Sequence, residues 1–151
     1  TKTNRLERIN TRPNREGGLT DKIKHGYLPF YKTIFKEKEI KSVLEIGVQK
    51  GYSILLWREM LPDAKIVGVD INEPPVSGCI CADATKTFPG MEGPWDLIID
   101  DGSHLYKDIV ASFKLLWPYL NKGGYYVIED VPRELKKEVP SRDMFTIIKK
   151  T

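Results

Sequence analysis

The 151-residue sequence has no apolar run approaching the roughly 20 residues that a membrane span requires. Its first residues are polar and lack the apolar stretch of a signal peptide, so a cytoplasmic protein with no membrane partner is expected. Cysteine is scarce: only Cys79 and Cys81 occur, two apart in a strand-like segment, where their side chains face opposite ways. That placement excludes an easy disulfide, and too few ligands lie nearby for a zinc site, so two reduced thiols are expected. The common phosphate-binding motifs are missing as well. No G-K-[ST] follows a glycine turn, as a P-loop needs, and no G-x-G-x-x-G occurs, as dinucleotide folds need. Nor is there a strong charge of one sign, the formal net charge being +3. The basic excess sits at the ends, with seven Lys/Arg against three acids in residues 1–26 and six against three in residues 131–151. Those ends lack the aromatic interleaving of a base-stacking platform, so nucleic acid is not an expected partner and solvated tails account for them.

What is present reads as one domain of ordinary composition, long enough to bury a core. Residues 1–18, ending in Glu16-Gly17-Gly18, form a basic amino-terminal arm, and residues 19–151 form the domain. Tyr27, Tyr31, Ile34 and Phe35 recur at helical spacing, with Pro29 tolerated in the first turn. His25 and Tyr27 are placed to line a substrate cleft, although a structural role is the simpler reading of Tyr27. Ser42–Ile46 is a buried-strand pattern that runs into Gly47-Val-Gln-Lys-Gly51 and then a helix, Tyr52 to Leu61, closed by Pro62-Asp63. Further strands follow at Ile66–Asp70, Cys79–Ala82, Trp95–Asp100 and Tyr125–Asp130. A helix from Leu105 to Leu120 precedes the last of these, with Leu105, Ile109, Phe113, Leu116 and Leu120 as its buried stripe and Lys122-Gly-Gly124 as its stop. This alternation predicts an α/β fold with a doubly wound, Rossmann-like, mostly parallel sheet, whose ligands sit outside the carboxyl ends of the strands.

The residues at those ends narrow the ligand. The glycines of the G-x-x-x-G turn allow close backbone approach. Glu45, just before Gly47, would repel a pyrophosphate but not a cationic group, and Asp70 occupies the position that grips ribose hydroxyls. A cationic, ribose-bearing ligand without phosphates is S-adenosylmethionine. Ser53 in the first helical turn and Asn72 just past Asp70 flank the same ligand. Asp83 and Ala84 end the third strand, where Asp83 can accept from an adenine amine and can also be the N-cap of a following helix, the two roles not excluding each other. Asp100-Asp101-Gly102-Ser103-His104 and Glu129-Asp130 end two neighbouring strands about 4.8 Å apart. Asp101, Glu129 and Asp130 can therefore converge on Mg²⁺ or a similar hard divalent ion. His104 stands at the rim, and an imidazole, with its reference pKa of about 6.5, is available as a base. The alternative is structural: Asp101 capping a helix, Glu129 pairing with a lysine and His104 lying on the surface.

Glu45-Ile-Gly-Val-Gln-Lys-Gly51, Asp100-Asp-Gly-Ser-His104 and Gly123-Gly-Tyr-Tyr-Val-Ile-Glu-Asp130 resemble the class I methyltransferases that O-methylate sugars of macrolide antibiotics, the macrocin and mycinamicin type. Thr20-Asp-Lys22, His25 and Phe30-Tyr31 are similar to that family's segment ahead of the first strand, so the likeness covers roughly residues 18–131. The resemblance implies S-adenosylmethionine as cofactor, with Asp100 beside it, a metal on Asp101, Glu129 and Asp130, and catalysis by His104 with Asp101. The chain departs from the family at its carboxyl end, where only Met144–Ile148 has strand character and Val131–Asp143 is short for a substrate cap. A curtailed strand pair, a small sugar-like acceptor and a homo-oligomer that completes the site are the corresponding expectations. Methylation of a nitrogen or a catechol, or a cofactor-binding module without catalysis, are the alternatives that these residues leave open.

Overall fold

The computed structural model describes residues 27–129 and 145–151. The basic arm, His25, Asp130 and the segment Val131–Asp143 lie outside the described residues.

In chain order the elements are α1 (Leu28–Glu37), β1 (Ser42–Ile46), α2 (Tyr52–Met60), β2 (Lys65–Asp70), β3 (Ile80–Cys81), β4 (Trp95–Asp100), α3 (Tyr106–Leu116), a 3₁₀ turn (Trp117–Tyr119), β5 (Leu120–Glu129) and β6 (Phe145–Lys149). They build a six-stranded sheet in the order β3-β2-β1-β4-β5-β6. All pairs are parallel except β5 with β6. The order reverses between β1 and β4, so their carboxyl ends open the crevice in which doubly wound folds bind ligands.

Side chains on a strand alternate between faces, and the core divides accordingly. Val43, Leu97, Ile99, Tyr125 and Val127 pack against α1 and α2 through Leu28, Tyr31, Ile34, Ile54 and Trp57. Leu44, Ile98, Tyr126 and Ile128 pack on the other side against α3 through Ile109, Phe113 and Leu116. Pro29 stands in the first turn of α1, where its missing N–H costs nothing. Tyr27 is buried in the core rather than lining a cleft.

Two details of α3 differ from the sequence reading. The helix stops at Leu116, four residues early, because Pro118 cannot continue the hydrogen-bond ladder. A 3₁₀ turn follows, and the Lys150 ammonium donates to the carbonyls of Trp117 and Leu120 behind it. The Lys122-Gly-Gly124 run is no helix stop but an excursion within β5, where the register with β4 shifts between Trp95 and Leu97. Leu105 is the N-cap residue, outside the helical stripe, and stands 54% exposed.

The amino ends of the strands are tied by polar groups. The Asp96 carboxylate accepts from the Lys41 amide at 2.8 Å and from the Asn121 amide nitrogen at 3.0 Å, while the Ser42 hydroxyl accepts from the Asp96 amide and donates to the Pro94 carbonyl. This joins β1, β4 and β5 at the end opposite the crevice. Asp96→Ala would strand two part-buried donors, so a loss of about 2–4 kcal/mol is expected. Urea denaturation should show a lower midpoint at an unchanged slope. A midpoint equal to the wild type would contradict the assignment.

Candidate functional site

A cleft of about 300 Å³ opens at the carboxyl ends of β1, β2 and β4, lined by Gly47, Asp70, Asn72, Asp83, Ala84, Asp100 and Asp101 among others. Seven sequence-selected residues thus come together in one cavity. Glu45, Gly51, Ser53, His104 and Glu129 are not among its lining residues. Strand periodicity explains the absence of Glu45 and Glu129. Ile46 and Asp100 share the α3 face with Leu44 and Ile98, whereas Glu45 and Glu129 share the opposite face with Val43 and Val127.

The glycine turn is shaped by the protein around it. Gly47 has φ +89, and a Cβ there would lie 2.1 Å from the Asp101 carbonyl oxygen. The turn is therefore pressed against the strand end that carries Asp101, which the Asp101 amide reinforces by donating to the Ile46 carbonyl at 2.9 Å. At Gly51, φ +84, a Cβ would meet the Val76 side chain, so this glycine seats the 71–79 loop.

Asp70 ties down the same turn. Its carboxylate accepts from the Val48, Gln49 and Asn72 amides at 2.8, 3.0 and 2.9 Å. Desolvation pushes its pKa up, but these backbone donors outweigh it and hold it below the ordinary value. A carboxylate offers about four acceptor sites, so capacity is left for a ribose hydroxyl. Asp83 turns its Oδ1 to the amide and hydroxyl of Thr85, at 2.9 and 2.6 Å, closing a local turn and not capping a helix, since none follows before β4. The sequence reading missed Ile71, which stands 70% exposed beside Asp70, and Asp108 and Ser112 of α3, all in the lining. Ile71 was legible as an apolar residue in a breaker-rich loop.

On the other face, ligand atoms of Glu45, Asp101 and Glu129 lie within 4.8 Å of one another. Glu45 and Glu129 are 0% and 1% exposed. Two hydrogen bonds onto these acids come from aromatic rings: the Tyr31 hydroxyl donates to Glu129 Oε2 at 2.5 Å and the Trp57 indole to Glu45 Oε2 at 3.1 Å. Burial, reinforced by the charge of Glu129, pushes the Tyr31 phenol well above its ordinary value, so it stays a donor. The donor set fits a hard divalent ion, since two oxygens on one ion lie at most two bond lengths apart, about 4.2 Å for Mg²⁺ and about 4.8 Å for Ca²⁺. Each ionised pair at this spacing repels by on the order of 3 kcal/mol at an effective dielectric of about 20, which such an ion relieves. Glu45, read from sequence as a cofactor contact, is thus placed with the metal-type acids, on the face turned away from the cleft.

Asp101 belongs to both assemblies, lining the cleft and completing the three-acid cluster. His104 Nε2 lies 3.9 Å from Asp101 Oδ1, with the imidazole 38% exposed. The residue adopts φ +63, a left-handed conformation uncommon outside glycine. Asp101 is not the helix cap of the structural alternative, because the N-cap is Leu105 and the Ser103 hydroxyl serves the turn, accepting from the Leu105 amide and donating to Asp108.

A methyltransferase domain family model matches residues 44–131. The chain belongs to this methyltransferase family. It is 32% identical over 134 residues to the demethylmacrocin O-methyltransferase of Streptomyces fradiae, covering 71% of this chain and 32% of that protein. It is 31% identical over 129 residues to the mycinamicin VI 2''-O-methyltransferase of Micromonospora griseorubida, with the same coverage. The structure of the MycE methyltransferase from the mycinamycin biosynthetic pathway, in complex with Mg and SAH, matches with a TM-score of 0.69 at 30% identity, over 83% of this chain and 39% of that one. The chain therefore spans about a third of the length of these curated relatives, and the resemblance to sugar O-methyltransferases seen in the sequence stands.

Asp100 provides a test of the cleft's electrostatics. Burial pushes its carboxyl up to about 6, against the Gly102 amide bond and His104, which pull it down. Between the ordinary value of 3.8 and about 6 the folded protein keeps a proton that the unfolded chain releases, so stability falls as pH rises through that window. Asp100→Asn removes this dependence and keeps an acceptor for Gly102. Without divalent cations, the variant should exceed the wild type by on the order of 2–3 kcal/mol at about pH 7.5, with the gap closing near pH 4. A gap that does not shrink on acidification in urea titrations would contradict the burial of an ionised carboxylate here.

Proposed function

We propose that this chain is the S-adenosylmethionine-binding catalytic domain of an O-methyltransferase, metal-assisted, acting on a hydroxyl of a sugar-like or glycosylated small molecule. The observation that carries the reading is the double membership of Asp101, which joins the cofactor cleft to the acidic cluster with an imidazole beside both. The relatives that O-methylate glycosylated polyketides support the acceptor class, and the MycE complexes with Mg and SAH support the cofactor and the ion.

Glu45, Asp101 and Glu129 would hold the cation, and Asp130 follows directly in sequence. S-adenosylmethionine supplies a sulfonium-bound methyl group, and a divalent cation supplies Lewis-acid polarisation of the acceptor hydroxyl. The chain's own work is positional and basic. Asp70 fixes the glycine turn and offers its remaining acceptor capacity to the ribose. Asp101, which of the three acids is the one that lines the cleft, would orient the hydroxyl end of the acceptor. His104, exposed at the rim, takes the hydroxyl proton as the oxygen lone pair forms its bond to the methyl carbon and the carbon–sulfur bond breaks. The product sulfur leaves as the neutral thioether of S-adenosylhomocysteine, so charge balances with the proton on the imidazole.

The test pairs calorimetric titration with S-adenosylhomocysteine and turnover on a panel of glycosides with Mg²⁺. His104→Ala should leave the binding heat intact and reduce turnover by about 10²–10⁴-fold. Turnover equal to the wild type would remove His104 from the mechanism, and absence of cofactor heat in the wild type would remove the function.

A further inference from the structure

We infer that Tyr31 and Trp57 are the positioning residues that set the carboxylates of the acidic cluster for a cation, so that α1 and α2 control its affinity. This rests on the cation reading of the cluster given above. Both rings are fully buried at 0% exposure. They come from different helices and lie with centroids 4.7 Å apart, tilted by 55°. Phe35 closes the group, edge-on to Trp57 at 5.8 Å and 6.4 Å from Tyr31. Each polar ring places its one O–H or N–H on a different glutamate, Tyr31 on Glu129 and Trp57 on Glu45.

The geometry explains why aromatic donors serve here. A glutamate side chain has three rotatable bonds, and two of them at one strand edge would swing apart under mutual repulsion. A donor on a rigid ring, wedged by its neighbours, fixes one oxygen of each carboxylate and thereby the side chain's rotamer. A neutral donor does so without competing with the cation for charge, as partners behind metal-ligating groups commonly do. Trp57 lies twelve residues from Glu45, within the strand–turn–helix unit, whereas Tyr31 lies 98 residues from Glu129. Tyr31 also precedes the family-matched segment of residues 44–131, so the acidic cluster depends on a helix outside that segment.

Terbium(III) titration of the full chain, read by luminescence sensitised through tryptophan, reports occupancy of a hard-oxygen site beside Trp57 without calling on catalysis. The wild type should give sensitised emission that Mg²⁺ or Mn²⁺ displaces and that Asp101→Asn abolishes. Tyr31→Phe, which keeps the ring and removes only the donor, should weaken terbium affinity about tenfold while reaching full emission at saturation. Circular dichroism and the melting profile identify a folded variant, which separates lost positioning from lost structure. Trp57→Phe, read by calorimetry with Mn²⁺, should show a similar loss and decides the matter if Tyr31→Phe does not fold. Unchanged affinity in the folded variants overturns this inference alone. No displaceable emission in the wild type overturns the cation reading and this inference with it.

Discussion

The two-residue period of the parallel strands is the constraint on which the site depends. At the carboxyl edge of β1, β4 and β5, consecutive residues must face opposite sides of the sheet. Ile46 and Asp100 therefore turn to the α3 side and border the cleft, and Glu45 and Glu129 turn to the α1 and α2 side and meet beneath two aromatic rings. Asp101 comes one residue after β4 ends, free of the pleat, and so touches both. A register slip of one residue in any of these strands would exchange the two chemistries. The polar ties of Ser42, Asp96 and Asn121 at the far end of the same strands help to prevent that slip.

The glycine turn follows from the same packing. Its first glycine is needed because the backbone of Asp101 lies against it, not only because a ligand approaches. Asp70 then holds the turn from the β2 side through two amides, those of Val48 and Gln49. Cofactor cleft and acidic cluster are thus mechanically linked through one short loop contact. In the proposed methyl transfer this linkage sets the distance between methyl donor and acceptor hydroxyl, where small displacements are costly.

Much of this was legible in the sequence because it is local. Strand ends carrying acids, the G-x-x-x-G turn and the Asp-Asp-Gly-Ser-His run each lie within a few residues, and the alternation of elements fixed a doubly wound sheet. The face assignment of Glu45 was also legible in principle, since Val43 and Glu45 share parity, as do Val127 and Glu129. It needed the knowledge of which helices cover which face. The end of α3 was misread for a plainer reason: Pro118 outweighs the Gly123-Gly124 pair that follows it. Tyr31 was beyond reach, because nothing within its own segment indicates that its hydroxyl meets a strand end 98 residues away.

The most direct measurement is a crystal structure of the chain grown with Mn²⁺ and S-adenosylhomocysteine, with the anomalous signal locating the metal. The account predicts one strong peak within bonding distance of Glu45, Asp101 and Glu129, with the nucleoside in the Asp70 cleft and Asp101 between the two. A peak at Asp101 with Glu45 turned away, or one elsewhere on the chain, would contradict the division of the strand edge into two faces of chemistry.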